Sequence, residues 1–339
     1  MGICQGMREP RPLEITNHPA VRGRGTRLGE GSLVLSRPLF MQVDLCSFFR
    51  AFSHMTKLIP FVKYHGMEND WLVTFTKDLP TALPAFARKF LRRHTGAGAD
   101  GLIAVSKPES KNHEARIRFF NADGSEAEMS GNGIRCAGAF LAEQKPQKRI
   151  LKIETASGVK ILEKRKSGKG TWTFRVHMGP PILGAAQIPF QPADLESPIL
   201  RFPLKTHRGE LPVTVTSMGN PHCSVFVADF ESVDWLRLGR EIESCENFPN
   251  RTNVEFVRLI SEDEIEVRFW ERGVGHTRSS GTGSCGASVA SILNGLTGRR
   301  VRVRTEAGTL EVDWPEGGEV TLTGPAKRVM SGKYNYTAD

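Results

Sequence analysis

The sequence lacks the features that mark membrane-spanning and zinc-binding proteins. It contains no stretch of about 18 consecutive apolar residues, which excludes a membrane-spanning helix. Its six cysteines form no Cys-Xaa-Xaa-Cys pair, and no secretory signal is recognisable, so neither a zinc site nor a disulfide framework is indicated. We therefore expect a cytoplasmic protein that is not associated with a membrane and has no bound metal.

The sequence also lacks a concentrated patch of basic residues. Its 46 Lys and Arg residues against 37 Asp and Glu residues give a formal net charge of +9, but the positive residues are scattered. With only three tyrosines, there is no run in which basic and aromatic residues alternate, so we expect no nucleic-acid partner. The positive excess favours attraction of an anionic small molecule instead.

The length and the local composition predict two domains after an extension. A chain of 339 residues exceeds what one hydrophobic core supports, because single cores stop growing at roughly 250 to 300 residues. Residues 1–54 are rich in Pro, Gly and Arg without a sustained period, which predicts a poorly ordered extension. We expect an N-terminal domain at 55–176, to which 327–339 return, and a C-terminal domain at 177–326.

The chain repeats its own pattern at a shift of 150 residues. In each half a strand-like run, ARIRFFN or EIEVRFWE, leads through a loop to Ser-Gly-Xaa-Gly, an Ala-rich apolar helix and a second strand pair. The matched pairs are Arg118-Phe119 and Arg268-Phe269, Ser130-Gly131 and Ser280-Gly281, Gly133 and Gly283, Ala137 and Ala287, Thr155 and Thr305, and Gly158 and Gly308. This agreement in one register indicates a duplicated unit.

Each Ser-Gly-Xaa-Gly segment stands where a helix begins. The first backbone N–H groups of a helix have no partner inside the helix and carry partial positive charge, so they suit a carboxylate or an oxyanion. Neither segment matches a nucleotide-binding loop, because the GK[ST] ending and the GxGxxG pattern are both absent. If the two halves face each other across a cleft, both helix ends point at one ligand.

Two opposed sites suit the inversion of a stereocentre. That reaction needs a base that removes a proton from one face of a carbon atom and an acid that returns a proton on the other face. Helix-end N–H groups would stabilise the negative charge that develops on the adjacent carboxylate. The duplication is therefore typical of an enzyme that epimerises or racemises a carboxylic acid.

Five ordered motifs resemble the diaminopimelate epimerase family, whose members are cofactor-independent amino-acid epimerases. They are HGMEND at 65–70, FNADGSEAEMSGNGIRC at 120–136, SMGNPHCSVFV at 217–227, TNVEFV at 252–257 and WERGVGHTRSSGTGSCG at 270–286. The resemblance extends from Met55 to the C-terminus. It implies an α/β (α+β) fold of two pseudo-symmetric domains, each a mixed sheet wrapped around a central helix. It also implies an amino-acid substrate and no cofactor, and a homodimer is left open.

The resemblance implies a role for each matching polar residue. Four asparagines stand where the family contacts the polar groups of the amino acid, namely Asn69, Asn121, Asn220 and Asn253. Two charged residues stand where the distal ammonium and carboxylate are held, namely Glu271 and Arg272. The helix-end amides that receive the reacting carboxylate belong to Gly131, Asn132, Gly281 and Thr282.

The sequence departs from the family at the two positions that carry the chemistry. The family normally has a cysteine immediately before each Gly pair, one thiol for each face, whereas this chain has Ser130 and Ser280. Cys136 and Cys285 lie further along the predicted helices and away from their first residues. We therefore interpret these two cysteines as small core residues.

A hydroxyl is a far weaker acid than a thiol. A free thiol has a pKa of about 8.5, and water at about 15.7 serves as a proxy for a hydroxyl. The gap of about 7 pKa units corresponds to roughly 10 kcal/mol. From the resemblance we expect His222 near Ser130 and Glu271 near Ser280 to supply the basic groups, while each hydroxyl relays or positions the proton.

Two other functions remain open at this point. One is a cofactor-free isomerase or dehydratase on the same fold, which shifts a proton within one substrate. The other is a binder that keeps the carboxylate site and has lost the chemistry. Epimerisation of LL-diaminopimelate to the meso form, or of a related amino acid, is the function that the complete polar set favours.

Overall fold

The structure, a computed structural model, describes residues 56–192 and 194–337, which belong to one compact unit. The predicted extension at 1–54 lies outside the described residues. No helix in the described part of the chain is long and apolar enough to cross a membrane.

Strands dominate the described residues. The strands are β1 Lys57–Gly66, β2 Asn69–Phe75, β3 Gly101–Ser106, β4 Ala115–Asn121, β5 Glu126–Ala127, β6 Ile150–Thr155, β7 Gly158–Gly168, β8 Thr171–Gly179, β9 Ile199–Thr206, β10 Gly209–Ser217, β11 Pro221–Phe226, β12 Asn253–Ser261, β13 Glu264–Glu271, β14 Gly275–Thr277, β15 Arg300–Thr305, β16 Gly308–Asp313 and β17 Val320–Tyr336. The helices are α1 Leu83–Phe90, α2 Gly131–Gln144, α3 Trp235–Glu243 and α4 Gly281–Leu293.

The first half closes into a barrel. Strands β1, β2, β3, β4, β6, β7, β8 and β17 pair in that order, and β17 pairs back with β1. The β2–β3 and β4–β6 pairs are parallel and the others antiparallel. Side chains alternate between a buried and a half-buried face, as in β8, where TWTFRVHMG buries every second residue. Closure of the barrel leaves no exposed strand edge in this ring.

The second half repeats the arrangement and shares two strands with the first. Strands β10, β11, β12, β13, β15, β16, β17 and β8 pair in that order, and a bridge between Ile182 and Ser217 joins the chain after β8 to β10. Its parallel pairs, β11–β12 and β13–β15, are the counterparts of β2–β3 and β4–β6. Strands β8 and β17 therefore hold the two barrels together.

The central helices α2 and α4 fill the barrels. Twelve of the residues of α2 are buried, from Gly131 to Ala142, and α4 is buried over most of its length. Burial on nearly all sides favours small residues, and Ala and Gly recur in both helices. In α4 the buried Ser284 and Ser288 hydroxyls donate to carbonyls one turn earlier, so burial leaves neither unpaired.

The structure confirms the predicted fold class and the duplication. The order β4, β5, α2, β6, β7 recurs as β13, β14, α4, β15, β16. Even the register repeats, because Ala115 pairs with Ile153 in the first half and Ile265 pairs with Val303 in the second. The domain boundaries at 176/177 and 326/327 fall within β8 and β17 and stay a prediction.

Candidate active site

The N-terminal ends of the two central helices meet. A Cβ atom placed on Gly131 would lie 2.9 Å from the Cα atom of Gly281, and one placed on Gly281 would lie 2.9 Å from the Cα atom of Gly131. Non-bonded carbon atoms pack at about 3.5 to 4.0 Å, so this approach requires glycine on both sides. The predicted convergence of two helix ends is therefore present in the structure.

A serine caps each of these helices. Ser130 and Ser280 both have extended backbone dihedrals, with φ of −137° and −128°, and each hydroxyl accepts a hydrogen bond from the backbone N–H three residues later. The donor–acceptor distances are 3.0 Å from Gly133 and 3.2 Å from Gly283. This is the standard geometry of a serine N-cap. Ser280 is 2% exposed, whereas Ser130 is half-buried.

Ser280 is also hydrogen-bonded to a carboxylate. Its hydroxyl donates to Oε2 of Glu271 at 2.8 Å, and the Thr277 hydroxyl donates to Oε1 at 2.5 Å. Burial raises the pKa of the Glu271 carboxyl, and the two hydroxyl donors oppose that rise. A carboxylate with a raised pKa is a better base, so this hydroxyl and carboxylate can pass a proton between them.

His222 lies in a buried chain of polar groups on the second half. Its Nδ1 is 2.7 Å from Oε1 of Glu255, and its Nε2 is 3.1 Å from Oδ1 of Asn220. Its ring packs against α4, because a Cβ atom on Gly286 would lie 2.8 Å from the His222 Cγ. The predicted pairing with Ser130 stays a prediction, since no hydrogen bond joins the two side chains in the described structure.

The two predicted site asparagines of the first half, Asn69 and Asn121, differ in burial and in hydrogen-bond partners. Asn69, at the start of β2, donates to Asp100 at 3.0 Å and accepts from the Trp71 indole N–H at 2.7 Å. Asn121, at the end of β4, is exposed and its amide donates to the Ser125 hydroxyl at 3.0 Å. Asn69 is therefore held in one orientation by two partners, whereas Asn121 takes part in a turn.

In the second half Asn253 lies beside Arg272. The Asn253 amide donates to the Pro221 carbonyl at 2.9 Å, and its oxygen accepts from the Arg272 backbone N–H at 3.0 Å. Asn253 is buried and Arg272 is exposed. The Arg272 guanidinium makes a 3.4 Å hydrogen bond to the Asn250 carbonyl, so its charge has no carboxylate partner among the described residues.

The structure places Cys136 and Cys285 in the core, as predicted. Both are 0% exposed, on α2 and α4 respectively. Burial raises the pKa of each thiol to about 12, so neither forms a thiolate near neutral pH. Neither cysteine replaces the missing thiols at the helix ends.

Sequence reasoning missed three residues that support the site. They are the indole partner of Asn69, the carboxylate beside His222 and a buried guanidinium on α2, namely Trp71, Glu255 and Arg135. A signal existed for Glu255, because the run NVEFV, which the structure buries completely, places a Glu between apolar residues, and a buried Glu requires a partner. No sequence pattern marked Trp71, whose ring overlaps the position that a Cβ atom on Gly101 would take, at 2.2 Å.

Arg135 is fully buried behind the first turn of α2. It donates to the Asn132 side-chain oxygen at 2.6 Å, to the Gly131 carbonyl at 2.8 Å and to the Pro325 carbonyl at 3.1 Å. Burial lowers its pKa to about 10, so the group remains charged at neutral pH. All three partners are neutral, which leaves a buried positive charge next to the meeting point of the helices.

Comparisons with known proteins identify the family and the fold. The family model for diaminopimelate epimerase matches residues 61–184 and 214–329. The diaminopimelate epimerase of Pelotomaculum thermopropionicum is 43% identical over 283 residues, which cover 81% of this chain and 99% of that protein. The Halothermothrix orenii diaminopimelate epimerase is 43% identical over 277 residues, 81% of this chain and 97% of that protein. Among solved structures, a hydroxyproline epimerase from Agrobacterium vitis shares the fold, with a TM-score of 0.63 at 15% identity and 83% and 94% coverage.

Proposed function

Because the chain belongs to the diaminopimelate epimerase family, and is thus an isomerase acting on a small amino acid, we propose that it converts LL-diaminopimelate to the meso form. The reaction is cofactor-independent and inverts one Cα atom. The observation that carries the proposal is the contact between two serine-capped helix ends, one from each half. Relatives of that name, 43% identical over nearly their whole length, support the choice of substrate.

The helix ends bind the carboxylate of the reacting centre. The backbone N–H groups of Gly131, Asn132, Gly281 and Thr282 lie in the first turns of α2 and α4. Together the two ends offer partial positive charge from both sides. As the Cα proton leaves, negative charge moves onto the carboxylate oxygens, and these donors stabilise that charge more in the transition state than in the ground state.

Proton transfer uses a different group on each face. On one face Glu271 accepts a proton through Ser280, to which it is already bonded. On the other face Ser130 positions the proton, and His222 is the proposed partner. One group takes the Cα proton and the other delivers a proton to the opposite face, so the net change is inversion without loss or gain of atoms.

The experiment is incubation of the purified protein with LL-diaminopimelate, followed by chiral chromatography. We expect meso-diaminopimelate to accumulate with the wild type and not with a Ser130→Ala, Ser280→Ala double variant. Tight binding of LL-diaminopimelate without any meso product would contradict the proposal and identify a binder. A Ser130→Cys, Ser280→Cys variant serves as the reference for thiol chemistry.

One observation favours a second candidate, a proton-shift isomerase. Ser280 has a carboxylate partner, whereas the Ser130 hydroxyl has no hydrogen bond to a titratable side chain among the described residues. A single acid–base group suffices when a proton leaves and returns within one substrate. Mass spectrometry and NMR of the product test this candidate. A product with the mass of the supplied amino acid but with a different bond arrangement would select it.

The proposal also covers the cellular location and the oligomeric state of the protein. A cytoplasmic location agrees with the four free cysteines of the described residues, of which three are fully buried. Cell fractionation tests the location. The homodimer stays a prediction, which sedimentation velocity of the full chain tests.

A further inference from the structure

The second half contains a buried histidine–glutamate pair, of which the proposed reaction uses only the histidine. His222 is 0% exposed and Glu255 is 1% exposed, and 2.7 Å separates Nδ1 of the ring from Oε1 of the carboxylate. Removing two ionisable groups from water is expensive, and a pair that lies this deep is not explained by stability alone. A pair of this kind at a catalytic centre commonly fixes the orientation of the imidazole.

Several contacts fix the pair in place. Glu255 lies in β12, whose parallel register sets Asn253 opposite His222 in β11. Oε1 of Glu255 lies 2.9 Å from the position of a Cβ atom on Gly283, in the first turn of α4. The carboxylate is therefore wedged between the strand and the helix end that Ser280 caps.

The contact between Glu255 and Nδ1 also determines how the other nitrogen of the imidazole faces the site. With Nδ1 facing Glu255, the other ring nitrogen faces Asn220, 3.1 Å away. An ionised carboxylate accepts hydrogen bonds only, so it keeps a proton on Nδ1 and leaves Nε2 as the nitrogen that gains or loses the titrating proton. An amide at the same position could donate instead and would permit the other tautomer.

The equivalent strand of the first half, β2, carries a different arrangement from β11. Trp71 follows Asn69 by two positions, just as His222 follows Asn220 by two, at a shift of 151 residues, one more than the shift that aligns the helices. Trp71 also bonds its asparagine, but an indole N–H cannot change its protonation state. The second half thus has a titratable ring, held by a carboxylate, where the first half has a donor of fixed protonation state.

We infer that Glu255 is a positioning residue of the epimerase, which acts through the His222 imidazole and fixes the tautomer and orientation of that ring at the active site. The inference rests on the proposed function. Glu271 on β13 and Cys223 on β11 are the neighbouring titratable groups, and both interact electrostatically with this pair. The carboxylate of Glu255 therefore also influences the charge of the Glu271–Ser280 pair.

The test is Glu255→Gln, which preserves shape and removes the charge. We expect meso-diaminopimelate formation to fall on the order of 10²-fold in kcat with little change in KM, within the range that positioned proton transfer contributes. We also expect the pH profile of kcat to shift. The ¹⁵N NMR shifts of the His222 ring should change from those of an Nδ1-protonated ring.

The matched control is Glu154→Gln. Glu154 contacts Nδ1 of His113 at the same 2.7 Å distance, on strand β6 of the other half. We expect this variant to keep the wild-type kcat and pH profile. Glu255→Asp, which keeps the charge and withdraws the carboxylate by one methylene, replaces Glu255→Gln if the latter does not fold, and we expect it to lose activity as well.

The outcomes separate the inference from the proposed function. Unchanged kcat and an unchanged His222 signature in Glu255→Gln would overturn the inference and leave the epimerase intact. A loss of activity with an unchanged ring signature would also overturn it, because the effect would not pass through His222. A wild type without epimerase activity would overturn the proposed function, while the NMR result would still test whether Glu255 sets the tautomer of His222.

Discussion

Removal of the two cap hydroxyls, one at a time, tests whether the two helix ends are chemically different. Ser130→Ala removes one hydrogen bond from the Gly133 N–H to the hydroxyl. Loss of a serine N-cap costs about 1 kcal/mol of unfolding free energy. We therefore expect Ser130→Ala to destabilise the protein by about that amount.

Ser280→Ala should cost more, for a reason visible in the structure. The same cap is lost, and Oε2 of Glu271 also loses its 2.8 Å donor in a buried site. A buried acceptor left without a partner costs about 1 to 3 kcal/mol, so the total is about 2 to 4 kcal/mol. The measurement is the free energy of unfolding from urea titration at pH 7, with Ser130→Ala and Ser280→Ala side by side.

Ser288→Ala is the control on the same helix. Its hydroxyl donates to the Ser284 carbonyl, which already accepts a helical hydrogen bond, so little stability should be lost. Costs for Ser130→Ala and Ser280→Ala within about 0.5 kcal/mol of each other would refute the reasoning. That result would mean that the Ser280–Glu271 hydrogen bond contributes nothing.

Two further predictions concern the meeting of the helix ends and the charge of the site. Gly131→Ala places a methyl group 2.9 Å from the Gly281 Cα, so we expect it to separate the helix ends and abolish turnover. The control is Gly168→Ala, whose added methyl group meets no atom within 4 Å and which should keep the wild-type kcat. Burial raises the folded-state pKa of the Glu271 carboxyl above the ordinary 4.5. Protonation of this carboxyl therefore stabilises the folded state fully below pH 4.5, and this stabilisation is lost as the pH rises through the raised pKa. Urea titrations across this window should show stability falling with pH, with a smaller fall in Glu271→Gln; an identical fall in both proteins would contradict the assignment.

The sequence predicted the features that depend on local pattern and on repetition. The shift of 150 residues identified α2 and α4, the Ser-Gly-Xaa-Gly segments at which they begin and the strand pairs that follow, because the duplicated halves kept the same spacing. The motifs identified the family, which the comparisons show. Burial of Cys136 and Cys285 also followed from their position within the predicted helices, away from the first residues of each.

The features that sequence alone could not predict depend on packing between distant segments. The sharing of β8 and β17 by two barrels follows from pairings across more than a hundred residues, which no local pattern encodes. Arg135 resembles a surface charge in sequence, yet it is completely buried and bonded to Asn132. The partner of His222 was missed for the same reason, since Glu255 reaches it only through the parallel register of β11 and β12.

The most direct test of two-face proton transfer is the isotope content of substrate and product early in a reaction run in deuterated water. If separate groups act on opposite faces, the first meso-diaminopimelate formed carries solvent deuterium at the inverted Cα, while the remaining LL-diaminopimelate still carries protium. Mass spectrometry after chiral separation measures both pools. Meso product that retains the original proton would contradict the account, because one group would then have served both faces.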